Sequence, residues 1–195
     1  MDVLGIILAR AGSRRLPGKN TLSFCGKPLI SWTIEAAINS KLSGVILSSD
    51  CPKCLELSKT YQIQSHRRPA TLALDDTTSA DVILELMRGY SRPYEYIMLL
   101  QPTSPLRDSR DINGMLKCYR ALREIAGEMT MCSANAVTKK LNGAMYLAPW
   151  EKFILDQGFK IDYEYWMPGQ KSVDIDTIED FEKAEKIMRG QKCRA

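Results

Sequence analysis

Residues 3–9 form a near-continuous apolar run, and this run constrains the fold more than any other feature of the chain. The sequence there is Val-Leu-Gly-Ile-Ile-Leu-Ala, without the apolar–polar alternation of a half-buried strand. Such a run is typical of a parallel strand that is covered on both faces. It is also far too short to span a membrane, because a spanning helix needs about 20 residues.

Two further apolar runs, at 44–48 and 96–100, alternate with segments of helical periodicity. The apolar positions of these segments recur every three or four residues, and they are Ile30, Ile34, Ala37 and Ile38; Ile83, Leu86, Met87 and Tyr90; Ile112, Met115, Leu116 and Tyr119; and Ile178, Phe181, Ala184 and Met188. Strands that alternate with helices predict an α/β fold, a three-layer sandwich with a mostly parallel sheet. We expect residues 1–195 to form a single domain.

The weaker patterns complete this outline. Residues 129–133 and 143–147 are interpreted as additional strands, and residues 67–70 as a loop. Residues 173–176 are interpreted as a short strand or its exit, followed by a helix that ends near Gly190. Asp108 or Asp111 is expected to cap the third apolar helix.

The composition is that of a folded globular protein and not of a disordered chain, with 45% hydrophobic and 26% charged residues. The net charge of +4 is too small to indicate nucleic-acid binding, and no membrane partner is expected. The six cysteines have no framework spacing, and no secretory leader is visible. We therefore interpret them as reduced thiols of a cytoplasmic protein.

The positive charges are concentrated just after the first strand. Arg10, Arg14, Arg15 and Lys19 fall in one ten-residue window without an acidic residue. Nearby Gly12 and Gly18 permit tight turns that bring backbone N–H groups towards an anion. The segment matches neither the P-loop nor the dinucleotide-binding pattern. It is interpreted as a polyphosphate site, with a solvated basic loop as the alternative.

Polar residues at the ends of several predicted strands indicate where this site lies. Arg10, Asp50, Gln101 and Asp176 all follow predicted strands, and ligands of such sheets bind beyond the carboxyl ends of the strands. Asp174 and Asp176 are two residues apart. On an extended segment this spacing puts both side chains on one face, with their Cα atoms about 7 Å apart. Such a pair suits Mg²⁺. The alternative is a helix cap and a solvated strand end.

Two other features are expected to be structural. His66, the only histidine, lies beside Arg67 and Arg68 and is interpreted as structural or exposed. Cys51 and Cys54 bracket a helix start in a Cys-Pro-Lys-Cys segment, for which a redox dithiol and a zinc half-site are the less favoured alternatives.

Five segments together resemble the acylneuraminate cytidylyltransferases, also called CMP-sialic acid synthetases. They are residues 9–20, 26–30, 68–79, 99–107, and 142–146 with 173–177. The resemblance implies a fold of the nucleotide-diphospho-sugar transferase-like type. It also implies an activity, in which CTP and a nine-carbon 2-keto-3-deoxy sugar acid give a CMP-sugar and pyrophosphate.

The resemblance further implies roles for individual residues. The triphosphate would be bound by Arg10, Arg14 and Lys19, with Gly12 and Ser13 in the same loop. The cytidine would be bound by Asn20, Arg68 and Ser79, and the sugar by Gln101 and Asn142. Asp174 and Asp176 would hold magnesium, so the residues carrying catalysis would be Arg10, Lys19, Asp174 and Asp176.

The chain departs from this family at one place. Relatives carry a longer segment before the Asn-Gly-Ala motif, and this segment builds a homodimer and lends basic residues to the partner's site. Here only residues 135–141 stand between Ala134 and Asn142. The alternatives to a sialic-acid-like substrate are a Kdo-type cytidylyltransferase, a metal-dependent glycosyltransferase, and a nucleotide-binding module without catalysis.

Overall fold

The computed structural model describes residues 1–90 and 94–192. For residues 191 and 192 it describes the backbone alone. The strands are β1 (Val3–Ala9), β2 (Ser23–Phe24), β3 (Lys27–Pro28), β4 (Gly44–Ser49), β5 (Gln64–Arg67), β6 (Tyr96–Leu100), β7 (Met131–Asn135), β8 (Leu141–Pro149) and β9 (Tyr163–Met167). The helices are α1 (Leu29–Ile38), α2 (Pro52–Thr60), α3 (Ser79–Arg88), α4 (Ser109–Ala126), α5 (Trp150–Leu155) and α6 (Ile178–Lys192). Short 3₁₀ helices occur at Lys19–Thr21, Ala70–Leu72 and Gly169–Lys171.

The central sheet has the strand order β5-β4-β1-β6-β8-β7-β9. The first four strands are mutually parallel, β8 runs antiparallel to β6 and β7, and β9 is parallel to β7. This arrangement confirms the predicted mostly parallel sheet. The carboxyl ends of β1, β4 and β6 therefore meet at one edge.

Strand β1 contacts a helical layer on each side. Val3 and Ile7 pack into a core with residues of α1, α2 and α4. Leu4 and Ile6, on the opposite face, pack against α3 and α5. Because successive side chains of a strand point to opposite faces, an apolar run without alternation is buried on both sides. The predicted three-layer sandwich is thus confirmed.

A third core cluster joins the end of the chain to its beginning. Ile175 and the α6 residues Phe181, Ala184 and Met188 pack against Leu16, Phe24, Leu29 and Leu106. The rings of Phe24 and Phe181 meet edge to face, with centroids 5.2 Å apart. Burial of these apolar side chains holds the segment before α6 against the loop after β1.

Some local predictions were wrong or incomplete. Arg67, predicted in a loop, ends strand β5, an edge strand whose four residues are all polar. Residues 173–176 form no strand, and the backbone N–H of Ile175 instead donates to the carbonyl of Thr103 over 2.8 Å. Helix α6 continues past Gly190 to Lys192. The prediction for Cys193 lies outside the described residues.

The helix starts agree better with the sequence. Asp108 caps α4 and forms a capping box with Asp111, and Pro52 begins α2. Within the described ranges, no helix is both long and apolar enough to cross a membrane.

Candidate active site

An open cleft of about 480 Å³ lies at the carboxyl ends of β1 and β6. Most of the residues predicted for the site line it, although they come from distant parts of the chain: Arg10, Ser13, Arg14, Lys19, Asn20, Arg68, Ser79, Gln101 and Asp176. Gly12, Asn142 and Asp174 are not among the lining residues.

The loop after β1 is held in place by hydrogen bonds to its backbone. The N–H of Ala11 donates to Asp50 Oδ1 over 2.8 Å, and Asn20 Nδ2 donates to the carbonyl of Arg10 over 3.2 Å. Gly18 adopts a left-handed conformation with φ 65°, just before the 3₁₀ turn at Lys19–Thr21. Such a backbone favours glycine. The position of a Cβ on Gly12 faces open space.

Arg10 and Arg14 pair with a carboxylate from a different loop. Arg10 Nη1 lies 2.7 Å from Asp75 Oδ1, and Arg14 contacts the other oxygen of the same carboxylate. Hydrogen bonding from Arg10, together with the charge of Arg14, lowers the pKa of Asp75. Asp75 is therefore an acidic residue within an otherwise basic part of the cleft.

Lys19 and Asp176 bring the two ends of the chain together. Lys19 Nζ donates to the carbonyl of Ile175 over 2.6 Å and lies 3.2 Å from Asp176 Oδ1. Arg15 binds the second oxygen of Asp176 over 2.9 Å. The Lys19 side chain is only 11% exposed, so this contact is much less screened by water than the pair made by Arg15.

Asp174 lies beside the cleft and not in its lining. The residue is exposed to solvent. Surrounding protein groups nevertheless partly desolvate its carboxyl group, which raises the pKa of Asp174. The nearby charge of Asp176 raises this pKa further. A hydrogen bond with Thr103 opposes this shift. Within residues 1–90 and 94–192, no group of three or more His, Cys, Asp or Glu is arranged to hold a metal.

The donor set nevertheless fits a metal that is shared with a substrate. Asp174 and Asp176 are near enough for the charge of Asp176 to act on Asp174, and carboxylate oxygens are among the ligands that Mg²⁺ prefers. Mg²⁺ commonly takes its remaining ligands from phosphate oxygens and water, and so requires no third protein carboxylate.

Arg68 supplies a buried guanidinium to the cleft. The residue is 7% exposed; its Nη2 donates to the carbonyl of Ser48 over 3.2 Å, while Nε has no partner among the residues that the structure describes. Burial lowers the pKa of this group, and the charge of Arg10 adds to the effect. A buried donor without a partner is costly, so Nε is suited to a ligand that accepts a hydrogen bond.

The two residues predicted to face a sugar differ in their position. Gln101 lines the cleft directly after β6. Asn142 lies on β8, where its oxygen accepts from Ser133 Oγ over 2.6 Å and its nitrogen donates to Ser172 Oγ over 2.9 Å. Its polar atoms already have protein partners, and they link β8 to the segment that leads to Asp174.

Sequence reasoning did not assign site roles to Asp75 and Thr103, and it placed Arg15 in the basic loop without a role of its own. Asp75 is within a resembling segment, but its pairing with Arg10 spans 65 residues and has no local signal. Asp50 was recognised as a strand-end residue, and the structure gives it a role in anchoring the basic loop.

His66 and the cysteine pair have structural surroundings. His66 Nδ1 lies 3.0 Å from Ser48 Oγ, and Nε2 lies 2.9 Å from Glu85, so the imidazole links β5 to α3. Burial raises the pKa of Cys54 to about 12, with the neighbouring Cys51 adding to the shift. The Cys54 thiol is therefore protonated at neutral pH and unreactive.

Two solved structures share this fold over nearly the whole chain. A CMP:2-keto-3-deoxy-manno-octonic acid synthetase complexed with CTP matches with a TM-score of 0.75 and 18% identity, covering 98% of this chain and 100% of that one. A cytidylyltransferase from Leptospira borgpetersenii matches with a TM-score of 0.69 and 21% identity. The match covers 100% of this chain and 95% of that one. The fold is therefore that of the predicted nucleotide-diphospho-sugar transferase-like class.

Residues 4–147 match the family model described as Cytidylyltransferase. The chain belongs to this family. An N-acylneuraminate cytidylyltransferase from Escherichia coli is 29% identical over 219 aligned positions, covering 96% of this chain and 52% of that protein. A CMP-N,N'-diacetyllegionaminic acid synthase from Legionella pneumophila is 28% identical over 230 positions. The match covers 96% of this chain and 97% of that protein. The predicted resemblance to the acylneuraminate cytidylyltransferases is thereby confirmed.

The chain spans about half the length of several relatives that it matches, including the Escherichia coli protein at 52%. It spans nearly the whole of the Legionella protein, at 97%.

Proposed function

We propose that this protein transfers CMP from CTP to the anomeric hydroxyl of a sialic-acid-like nonulosonic acid and releases pyrophosphate. The observation that carries the proposal is the meeting of Lys19 and Arg15 with Asp176 across the cleft. Nucleotidyl transfer needs neutralised phosphate charge and in-line positioning more than it needs covalent catalysis. A cluster of cations beside a pair of carboxylates supplies both requirements.

In the proposed reaction, the anomeric hydroxyl oxygen attacks the α-phosphorus, the bond from that phosphorus to the oxygen bridging it to the β-phosphate breaks, and the hydroxyl proton passes to solvent. Arg10, Arg14 and Lys19 bind the triphosphate and stabilise the charge that develops on the leaving pyrophosphate. The Gly12–Ser13 turn leaves room for the phosphates to approach the backbone. Asn20, Arg68 and Ser79 hold the cytidine portion.

Asp174 and Asp176 are the residues that would hold Mg²⁺. When bound, the ion supplies charge neutralisation at the phosphate oxygens. Lys19 lies against Asp176 and so holds the carboxylate at the phosphate side of the cleft. Gln101, at the end of β6, is the lining residue proposed to contact the sugar. Asn142 is proposed to contribute to that end of the site through its links to Ser133 and Ser172.

A pyrophosphate-release assay tests this proposal. The protein is incubated with CTP, Mg²⁺ and a panel of sugar acids that includes N-acetylneuraminic, legionaminic, pseudaminic and eight-carbon Kdo-type acids. We expect release with a nine-carbon acid and none without sugar. Release with the eight-carbon acid alone would assign the Kdo-type activity instead, and tight CTP binding without any release would support a non-catalytic module.

We also propose that the chain is a single domain that lacks the family's dimerisation extension. Strand β7 ends at Asn135 and β8 begins at Leu141, and the alignment with the Legionella protein is longer, at 230 positions, than the 195 residues of this chain. A homodimer is proposed even so. The reason is that Val137, Leu141 and Trp166 expose apolar surface around the connection between β7 and β8. Sedimentation equilibrium would measure the oligomeric state.

A cytoplasmic location is proposed from the cysteines. Four of those in the described part of the chain are free thiols: Cys51, Cys54, Cys118 and Cys132. Free thiols are typical of a reducing compartment. Fractionation of cells that express the protein would test the location.

A further inference from the structure

Two cations that the proposed function assigns to the triphosphate are bound to a carboxylate of this chain. Arg10 Nη1 lies 2.7 Å from Asp75 Oδ1, and Arg14 Nη2 contacts Asp75 Oδ2. Each oxygen of Asp75 is thus directed at a different guanidinium. A phosphate group would present its oxygens to the same two side chains. Asp75 therefore occupies an anion position of the cleft.

Asp75 lies at the tip of a turn whose far end is fixed. The N–H of Thr77 donates to the carbonyl of Leu74 over 3.4 Å. Thr78 caps α3 and forms a capping box with Asp81. On the cleft side, the contacts are made by Arg10, which also reaches the carbonyl of Leu74 over 3.4 Å. The turn is therefore anchored on α3, and its tip is attached to the cleft by interactions that an anion can replace.

The ion pairs of Asp75 are accessible to a ligand. The side chains of Asp75 and Arg14 are 43% and 80% exposed. Exposed pairs of this kind contribute little and are screened by salt. A polyphosphate carries several charged oxygens and can engage both guanidinium groups at once, whereas a single phosphate offers fewer charges to compete with the carboxylate.

We propose that Asp75 is an internal competitor of the triphosphate: its carboxylate holds Arg10 and Arg14 in the empty cleft, weakens the binding of a polyphosphate that must displace it, and so favours the release of pyrophosphate. The inference rests on the proposed function, since it assumes that these arginines bind the triphosphate. A bound triphosphate displaces the carboxylate, and the carboxylate returns when pyrophosphate leaves. The lowered pKa of Asp75 keeps it ionised, and so able to compete, at neutral pH.

Isothermal titration of Asp75→Asn against wild type tests the inference, with inorganic pyrophosphate, CTP and CMP as separate ligands in the presence of Mg²⁺. We expect the Kd for pyrophosphate and for CTP to fall about threefold to tenfold, the range that one or two partly exposed ion pairs can supply. The Kd for CMP is expected to change less than about twofold. Asp75→Ser removes the same charge with a smaller side chain and should give the same gain.

Asp76→Asn is the matched control. Asp76 is exposed and does not line the cleft, so this variant changes the net charge equally without freeing the arginines. An unchanged or higher Kd for pyrophosphate in both Asp75 variants would overturn the inference. An equal gain in Asp76→Asn would also overturn it, because the effect would then be one of general charge.

The same measurements separate this inference from the proposed function. A tighter Kd for pyrophosphate in Asp75→Asn, together with no turnover of CTP on any sugar acid, would support the inference and refute the proposed reaction. Normal turnover together with an unchanged Kd for pyrophosphate in Asp75→Asn would support the proposed reaction and refute the inference.

Discussion

Asp176 is the residue at which the electrostatics of the cleft converge. Its two carboxylate oxygens contact Lys19 and Arg15, which come from the loop after β1. These two ion pairs hold the carboxylate at the cleft. Lys19 and Arg15 also line the cleft, so a change at Asp176 alters the charge next to both.

Asp176→Asn is expected to reduce pyrophosphate release about 100-fold while leaving the fold intact. The amide keeps the shape of the side chain but removes the charge needed for the metal and for Lys19. The measurements are the initial rate at several Mg²⁺ concentrations and the circular dichroism spectrum. Glu182→Gln, at an exposed site on α6, is the control and should retain wild-type rates. Undiminished turnover in Asp176→Asn would remove Asp176 from the mechanism.

At the scale of elements, the position of α6 decides where Asp176 lies. The helix begins with a capping box in which Thr177 and Asp180 exchange hydrogen bonds of 3.0 to 3.3 Å. Its buried face then packs on Leu16 and Phe24, next to the basic loop. Capping fixes where the helix starts, and packing fixes what it faces, so both are needed to direct Asp176 towards Lys19.

Phe181→Ala is expected to lower the free energy of unfolding by about 3 kcal/mol, because it removes a buried ring and leaves a cavity. Phe181 is 8% exposed and packs edge to face on Phe24. Urea denaturation measures the change. Ile178→Ala, on the same helix but 47% exposed, should cost less than about 1 kcal/mol. Similar losses in the two variants would mean that α6 is not anchored through this ring.

The start of α4 makes stability depend on pH. Burial by itself would raise the pKa of Asp108, but hydrogen bonds from Arg110 and Lys171 outweigh it and hold the pKa well below the ordinary range. A depressed carboxyl pKa contributes stability above the unfolded pKa of about 3.9, and this contribution is lost as the pH falls towards the folded value. The stabilising ion pairs are therefore complete at neutral pH.

Asp108→Asn retains a capping oxygen but does not titrate. We expect the variant to be less stable than wild type at pH 7, and the difference in the free energy of unfolding to shrink as the pH is lowered from about 5 to about 2. Denaturant titrations of both proteins across this range would measure it. A difference that stays constant with pH would show that the ionisation of Asp108 does not contribute to stability.

Elements buried on both faces were predictable, and elements at the edges were not. Strands β1 and β6 are apolar throughout, and β4 is apolar as far as Leu47, because helices cover both of their faces. Strand β5 is polar because it lies at the edge of the sheet, and β9, at the other edge, has three exposed residues among its five. Such strands are specified by their neighbours and not by their own composition.

At the scale of the whole molecule, the cleft gathers residues that are about 170 positions apart in the chain. Sequence patterns indicated the strand ends and the basic loop, and the resemblance supplied roles for the individual side chains. The contacts made by Asp75 and the hydrogen-bonded position of Asn142 depend on which loops meet in space. Spacing along the chain carries no signal for such pairings.

Nucleotide binding should stabilise the folded molecule as a unit. Mg²⁺ and CTP at 100 times the Kd are expected to add about 2.7 kcal/mol, which corresponds to a rise in Tm of roughly 5–10 °C for a protein of this size. Differential scanning fluorimetry measures the shift, and UTP is the control because it differs from CTP at the edge of the base. A larger shift with UDP-sugars than with CTP would favour the glycosyltransferase alternative.

The docking of α6 on the loop after β1 also has a consequence for synthesis. A nascent chain that has left the ribosome only as far as β9 already contains every strand of the central sheet. It still lacks Asp176 and the helix that anchors it. The cleft is therefore completed only after all strands of the sheet have been made, and a product that ends at β9 would carry Lys19 and Arg15 without Asp176, the carboxylate that pairs with both.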